Sequence, residues 1–307
     1  MYDPQIGIIS VLYFEKGLSQ QEIAIRLGVS KMTVSRVLQR AKDLGVVKIQ
    51  ISKPFELHEE LEKAIQAKFG TKKVYVVNPH RSEEDATALL GNFFAFQINT
   101  NLLNNTILGI GVGKTIAKIA DCLLPMKTKN IEIVQLLGGL TNVVKENPFS
   151  IVQEFCRKLG AKGTYVASPA AVEDSAWRDQ ILYQTSNGVT LLEKWKECEQ
   201  ALFGIGVLDG GTLLSPSLVT DEEMREIREK GGIGDILGHV FDANGRFLQT
   251  NLEKRLVSIP IDTLLKIPER IAIGGGVLKA KAIKGLLRTG IVTTLVTDAK
   301  CAQYVIK

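Results

Sequence analysis

The sequence predicts an α/β protein with a small winged helix-turn-helix domain at its N-terminus and a larger parallel α/β domain behind it. Three observations predict this. Residues 18–44, LSQQEIAIRLGVSKMTVSRVLQRAKDL, have the spacing of a helix-turn-helix. Positive charge gathers at the same end: eight basic side chains (Lys16, Arg26, Lys31, Arg36, Arg40, Lys42, Lys48, Lys53) face four acidic ones (Asp3, Glu15, Glu22, Asp43) in residues 1–55, so +4 of the chain's +5 lies there. From Lys73 onward, short apolar runs alternate with helical stretches, as in a parallel sheet covered on both faces.

In the first domain, residues 3–16 read as a helix with Ile6, Ile9, Leu12 and Tyr13 facing the core. Ser19 and Ser30 stand as N-caps of the next two helices. Ala24 fits a close helix crossing, and Gly28 fits a turn that needs positive φ. Ile23, Leu27, Val29, Val34 and Val37 are spaced to bury one shared core. An ordinary helical hairpin is the bland alternative, but small, glycine and apolar positions all agree. The second helix starts at Lys31 and is expected to enter a DNA major groove. Lys31, Thr33, Ser35 and Arg36 are the candidates for base edges or nearby phosphates, Gln39 and Arg40 for phosphates further along, and Ser30 joins them at the helix head. Concentrated positive charge suits a polyanionic partner, double-stranded DNA. Gly45 ends the third helix. Val46–Ser52 alternates and reads as a short wing strand, closed by Pro54.

Residues 55–70 read as a linker or oligomerisation helix, with Leu57, Leu61, Ile65 and Phe69 on one stripe that either packs on its own domain or forms a dimer seam. Residues 71–307 form the second domain, and residues 1–54 the first. Strands are expected at 74–77, 106–111, 131–137, 164–168, 201–206, 270–276 and 293–297. Ser82 is expected to open a helix, with Asp85 in the capping-box position and apolar positions through Leu103.

Composition excludes other classes. The chain of 307 residues is 45% apolar and 23% charged, as soluble globular proteins are. No apolar run approaches the ~18 residues of a membrane span, and the N-terminus is no signal peptide, so a cytoplasmic protein without a membrane partner is expected. Cys122, Cys156, Cys198 and Cys301 form no CxxC, and His58, His80 and His239 form no HxxxH or HExxH. They are expected to be buried thiols and isolated histidines, with no metal and no cofactor.

Ligands of open α/β sheets bind at the carboxyl ends of the strands. Three glycine-rich loops are expected there: Gly109–Thr115, Gly138–Gly139, and Gly274–Lys279, which contains Gly275 and Gly276. The first is not a Walker A loop, since Leu108 occupies a required glycine position, and Lys114 breaks a GxGxxG. Each loop alone could be a tight turn. Three together, two of them with a lysine, favour a phosphate-bearing ligand, with Lys114 or Lys279 as point charge and Thr115 as hydroxyl donor. Asp235 could accept from sugar hydroxyls, or merely cap a helix.

The layout resembles the SorC family of bacterial transcriptional regulators. The resemblance rests on residues 18–51, GIGVGKTIAKIA at 109–120, VQLLGG at 134–139, ALFGIG at 201–206, GDILGHVFDANG at 234–245, and the block at 271–302. It implies a Rossmann-like effector domain similar to glucosamine-6-phosphate deaminase and ribose-5-phosphate isomerase. It also implies a sugar-phosphate effector, operator DNA, and a homodimer or homotetramer. Gly113, Lys114, Thr115 and Lys279 would meet the phosphate, and Gly138, Gly139 and Asp235 the sugar. Leu137 departs from members with a basic residue there, so no Schiff base forms from that position.

An isomerase or deaminase on the same fold is the rival. Deaminase-type enzymes carry GIG-x-DGH. Here GIGVLDGG has Asp209 one residue late and Gly211 where the histidine is expected, so proton-transfer groups are lacking. A third reading makes the second domain only an oligomerisation scaffold.

Overall fold

The computed structural model describes residues 4–49, 55–79, 85–101, 105–128, 130–140, 145–215 and 218–307. Contacts divide the chain into two units, Met1–Pro54 and Phe55–Lys307.

The first unit holds α1 (Pro4–Ser10), which runs into a π-helical turn at Val11–Glu15, then α2 (Gln20–Leu27) and α3 (Lys31–Asp43). Ile9, Ile23, Ala24, Val34 and Leu38 form its core, with Leu12, Tyr13, Leu27, Val29 and Val37 at the edge. Local chemistry sets each boundary. Ser19 and Glu22 cap α2 reciprocally, the hydroxyl accepting from Glu22 N–H and the carboxylate from Ser19 N–H. Gly28 ends α2 in the left-handed region, at φ 63°. Ser30 Oγ then accepts from Thr33 N–H at 3.0 Å and opens α3. The expected wing strand is not formed at residues 46–49, because Val47 N–H is spent on the Ala41 carbonyl at the end of α3. Its remainder, 50–52, lies outside the described residues.

The second unit contains helices α4 (Glu59–Phe69), α5 (Ala86–Thr100), α6 (Lys114–Cys122), α7 (Pro148–Leu159), α8 (Ser175–Asp179), α9 (Ser186–Glu197) and α10 (Asp221–Glu229). They are followed by α11 (Asn251–Arg255), α12 (Ile261–Leu264), α13 (Ala280–Arg288) and α14 (Ala299–Ile306). Its strands are β1 (Glu56–Leu57), β2 (Lys73–Asn78), β3 (Ile107–Ile110), β4 (Glu132–Gln135), β5 (Lys162–Thr164), β6 (Gln200–Gly204), β7 (Gly206–Val207), β8 (Gly232–Ile236), β9 (His239–Asp242), β10 (Glu269–Ile273) and β11 (Thr294–Asp298). Eight of them form one sheet in the order β1-β2-β11-β10-β6-β3-β4-β5. Every pairing in it is parallel except β1 on β2. One face packs on Leu89, Phe93, Ile116 and Phe155 of α5, α6 and α7. The other packs on Ile65, Trp195, Leu286 and Val305 of α4, α9, α13 and α14. β7, β8 and β9 make a small antiparallel sheet.

Four expectations are corrected. The helix expected at 55–70 begins only at Glu59 and packs on its own domain, which leaves the dimer-seam alternative only the face that Leu57 exposes. Its stripe residues Leu61 and Ile65 are buried in the second unit's own core, and β1 pairs with β2 just before it. The strand expected at 164–168 lies at 162–164. Beyond Thr164 the chain leaves the ladder, Val166 N–H turning to the Gln135 side chain and Pro169 bridging to Gly139. Asp85 is itself the N-cap of α5, accepting from Ala88 N–H, while Ser82 lies outside the described residues. Cys198 and Cys301 are buried, and desolvation pushes both thiols up to about 12, but Cys122 and Cys156 are only half-buried.

Candidate functional site: strand-end cavity and helix-turn-helix

The strand order reverses between β3 and β6. After β3 the chain moves outward to β4 and β5; after β6 it moves the other way, to β10 and β11. The turns leaving these two strands therefore cannot cover each other, and a crevice opens at their carboxyl ends. A cavity of about 210 Å³ lies there. Val112–Thr115 line it after β3, Gly204–Val207 after β6, and Lys279 after β10. The β8–β9 hairpin adds Asp235 and Leu237, the stretch after β7 adds Gly210–Leu213, and the first turn of α5 adds Thr87.

Two charged groups define the floor. Asp235 is 1% exposed. Its Oδ2 accepts from Gly238 N–H at 3.2 Å, which tightens the hairpin turn, while its Oδ1 has no protein partner. Burial pushes this carboxyl up to about 6, against the opposing pull of that N–H, of Lys279 and of His239. Lys279 Nζ donates to the Ile205 carbonyl at 2.7 Å. Burial holds its pKa below the usual lysine range, against the attraction of Asp235. Gly206 creates the room for Asp235, because a Cβ there would overlap Asp235 Oδ1. At the mouth, Gly113, φ 131°, stands at the N-cap of α6, and no side chain caps the helix's amino end. The first-turn N–H groups, the Lys114 ammonium and the Thr115 hydroxyl thus meet at one rim of the cavity.

The predicted effector residues divide. Gly113, Lys114, Thr115, Asp235 and Lys279 converge on this cavity. Gly138 and Gly139 do not line it. Their N–H groups donate to Val257 and Ser168 carbonyls, and a Cβ on Gly138 would overlap the Pro169 carbonyl, so close backbone packing requires glycine there. Gly275 and Gly276 act behind the wall: Gly276 N–H donates to Asp298 Oδ2 at 2.6 Å, and Gly275 leaves space for that carboxylate. Sequence reasoning missed Thr87, Thr212 and Leu237, which no glycine or charge pattern marks. Asp209, the acid of the enzyme-like GIGVLDGG, points away and pairs with Arg228 at 2.6 Å.

In the first unit, Lys31, Ser35, Arg36, Gln39 and Arg40 are exposed along α3, with Ser30 at its head and Thr33 half-buried. Gln39 donates to Asp43 at 2.9 Å, and Ser30 shares a 2.8 Å bond with Thr33. Lys31, Arg36 and Arg40 have no acidic partner among the described residues. A recess lined by Tyr13, Ser19, Gln20 and Gln21 adjoins Lys31; no sequence pattern marks Gln20 and Gln21, and Tyr13 is expected from the sequence only to face the core.

Comparison with known proteins agrees with this division of labour. Residues 53–307 match the sugar-binding domain family, and residues 2–54 match the MarR family. This chain belongs to the SorC family of transcriptional regulators. The regulator is 28% identical over 298 residues to the deoxyribonucleoside regulator of Bacillus subtilis, covering 96% of this chain and 95% of that one. It is 29% identical over 315 residues to the transcriptional regulator LsrR of Escherichia coli K12, covering 99% and 95%. Its fold is similar to that of the full-length sorbitol operon regulator SorC from Klebsiella pneumoniae, with a TM-score of 0.74, 25% identity and 99% of each chain covered. These relatives are regulators, not enzymes, and the regulator pairs a DNA-binding helix-turn-helix with a sugar-binding domain. Among the described residues no helix is long and apolar enough to cross a membrane.

Proposed function

We propose that the regulator controls a carbohydrate-utilisation operon in the cytoplasm and that a phosphorylated sugar bound in the second unit sets its affinity for operator DNA. The observation that carries this reading is the buried, unpartnered Oδ1 of Asp235 in a cavity whose rim is an uncapped helix amino end. A buried carboxylate oxygen without a donor is costly, and a ligand hydroxyl supplies one. The opposite rim suits an anion: Gly113, Lys114 and Thr115 offer N–H groups, a positive charge and a hydroxyl. Lys279 bridges the two ends. Several relatives are named for small polyols or pentose derivatives, such as deoxyribonucleosides, erythritol and sorbitol.

DNA is read by α3, with Lys31, Thr33, Ser35 and Arg36 near base edges and Ser30, Gln39 and Arg40 on phosphates. The regulator acts as a homodimer or homotetramer, so that recognition helices meet successive major grooves. The effector shifts DNA affinity only by binding two arrangements of the chain unequally.

The test is a thermal-shift screen of free and phosphorylated sugars on the full chain and on Lys279→Ala. A phosphosugar at ~100 times its Kd is expected to stabilise by roughly 2.7 kcal/mol. That shift should vanish in Lys279→Ala. Stabilisation by unphosphorylated sugars alone would overturn the phosphate assignment.

A further inference from the structure

The parallel sheet opens into a cavity at each of its two ends, and α5 runs from one to the other. Thr87 in its first turn lines the cavity at the carboxyl ends of the strands. Asn101 at its C-cap lines a separate cavity at their amino ends. At 1.5 Å per residue, the two lie about 20 Å apart along the helix. The amino-end cavity holds about 250 Å³, against about 210 Å³ for the other. Its floor is Leu108, Leu202 and Ile271, and Phe94 and Ile98 of α5 form a wall. All five side chains are buried.

The rim departs from the pattern of a covered parallel sheet. Tyr75, Val296, Ile271 and Leu202 face the α5 side of the neighbouring strands β2, β11, β10 and β6. Alternation puts Lys73, Thr294, Glu269 and Gln200, two residues earlier, on that same side. Where buried strands call for apolar side chains, a cation, a hydroxyl, an anion and an amide thus surround an apolar floor. The two charges do not neutralise each other. β11 lies between their strands, which therefore stand about 10 Å apart. Lys73 Nζ lies over the Tyr75 ring, 4.8 Å from its centroid. Glu269 accepts only a long 3.4 Å bond from the Thr294 hydroxyl. Neither has a partner of opposite charge among the described residues.

We propose that this amino-end cavity binds an α-amino acid with a branched or aromatic apolar side chain, its carboxylate at Lys73, its ammonium at Glu269 and its side chain on the floor of Leu108, Leu202 and Ile271. Charge complementarity selects the occupant. A purely apolar molecule would cover both charges without pairing them, which is costly. A phosphosugar would set hydroxyls on an apolar floor and a dianion beside Glu269. A zwitterion with an apolar body matches all three surfaces at once. The site is separate from the carboxyl-end cavity, and the inference does not rest on the phosphosugar reading.

Calorimetric titration of the full-length chain with L-leucine and L-phenylalanine tests it, with thermal shift as a second readout. At least one is expected to bind. Its amide, which lacks the carboxylate, and its N-acetyl form, which lacks the ammonium, should each bind roughly ten-fold or more weakly. Lys73→Gln and Glu269→Gln each remove one charge at the rim and should weaken the amino acid by a similar factor. If either variant melts lower than wild type, the capped ligands decide. Binding of neither amino acid by either readout overturns the proposal. Capped forms that bind as tightly as the parent overturn it, as does undiminished binding in both glutamine variants. Binding that disappears in a folded Lys279→Ala variant would put the amino acid in the carboxyl-end cavity and overturns it too.

Discussion

Asp235 is the residue whose protonation its burial in the strand-end cavity controls. Folded, it titrates near 6, above the 3.8 of an ordinary aspartate, because burial disfavours the charged form. The sign follows: its contribution to stability is complete below the unfolded value and is lost as pH rises through about 6. At about 1.4 kcal/mol per unit, the loss is roughly 3 kcal/mol. Asp235→Asn should therefore melt higher than wild type at pH 7.5, with the difference shrinking toward pH 4. A ligand hydroxyl donates best to the ionised carboxylate, so effector affinity should rise as pH rises through 6. The phosphate itself titrates in the same range, and calorimetry on Asp235→Asn separates the two: dependence that survives the substitution belongs to the ligand. Equal wild-type affinity at pH 5 and pH 8 would refute the carboxylate's role. Gly206 makes a second prediction at this scale. Gly206→Ala would force Asp235 Oδ1 from its place, so effector binding should fall at least ten-fold while DNA binding stays unchanged.

Element boundaries follow from residues that settle their own backbone. Ser19, Gly28 and Ser30 were legible because each cap or turn needs only its neighbours in sequence. Ser30→Ala removes the acceptor for Thr33 N–H and should cost about 1 kcal/mol of first-unit stability, visible as a lower melting temperature in the full chain. A loss below a few tenths would mean that DNA-facing chemistry, not capping, is the role of that hydroxyl. Strand runs through the sheet centre were equally legible: β2, β3, β6, β10 and β11 lie where their apolar runs lie, because both faces of a central parallel strand are buried. The edge was not. β5 has a neighbour on one side only, and its register depends on where Pro169 meets Gly139. The β7–β9 sheet was missed because GGIGDILGHVFD resembles a loop until Gly206 and Val207 arrive to pair with it.

At the scale of the molecule, the two units support separable losses. Arg36→Ala should weaken operator binding, measured by gel shift, and leave effector-induced stabilisation intact. Lys279→Ala should do the reverse, sparing DNA binding and removing the effector response. Loss of both activities in either variant, with melting unchanged, would contradict separable modules. The sequence by itself determined the α/β class, the helix-turn-helix with its exposed cations, and the glycine-rich turns at strand ends. These depend on short-range periodicity, charge and backbone freedom. Only the tertiary structure decided which turns share a cavity. Gly113–Thr115, Asp235 and Lys279 converge because β6 inserts beside β3 and opens the crevice between them, whereas Gly138 and Gly139 are spent on backbone packing. Only the fold, too, placed Leu61 and Ile65 in the second unit's core. A helical stripe states that something covers it, and the long-range contacts of the folded chain choose what.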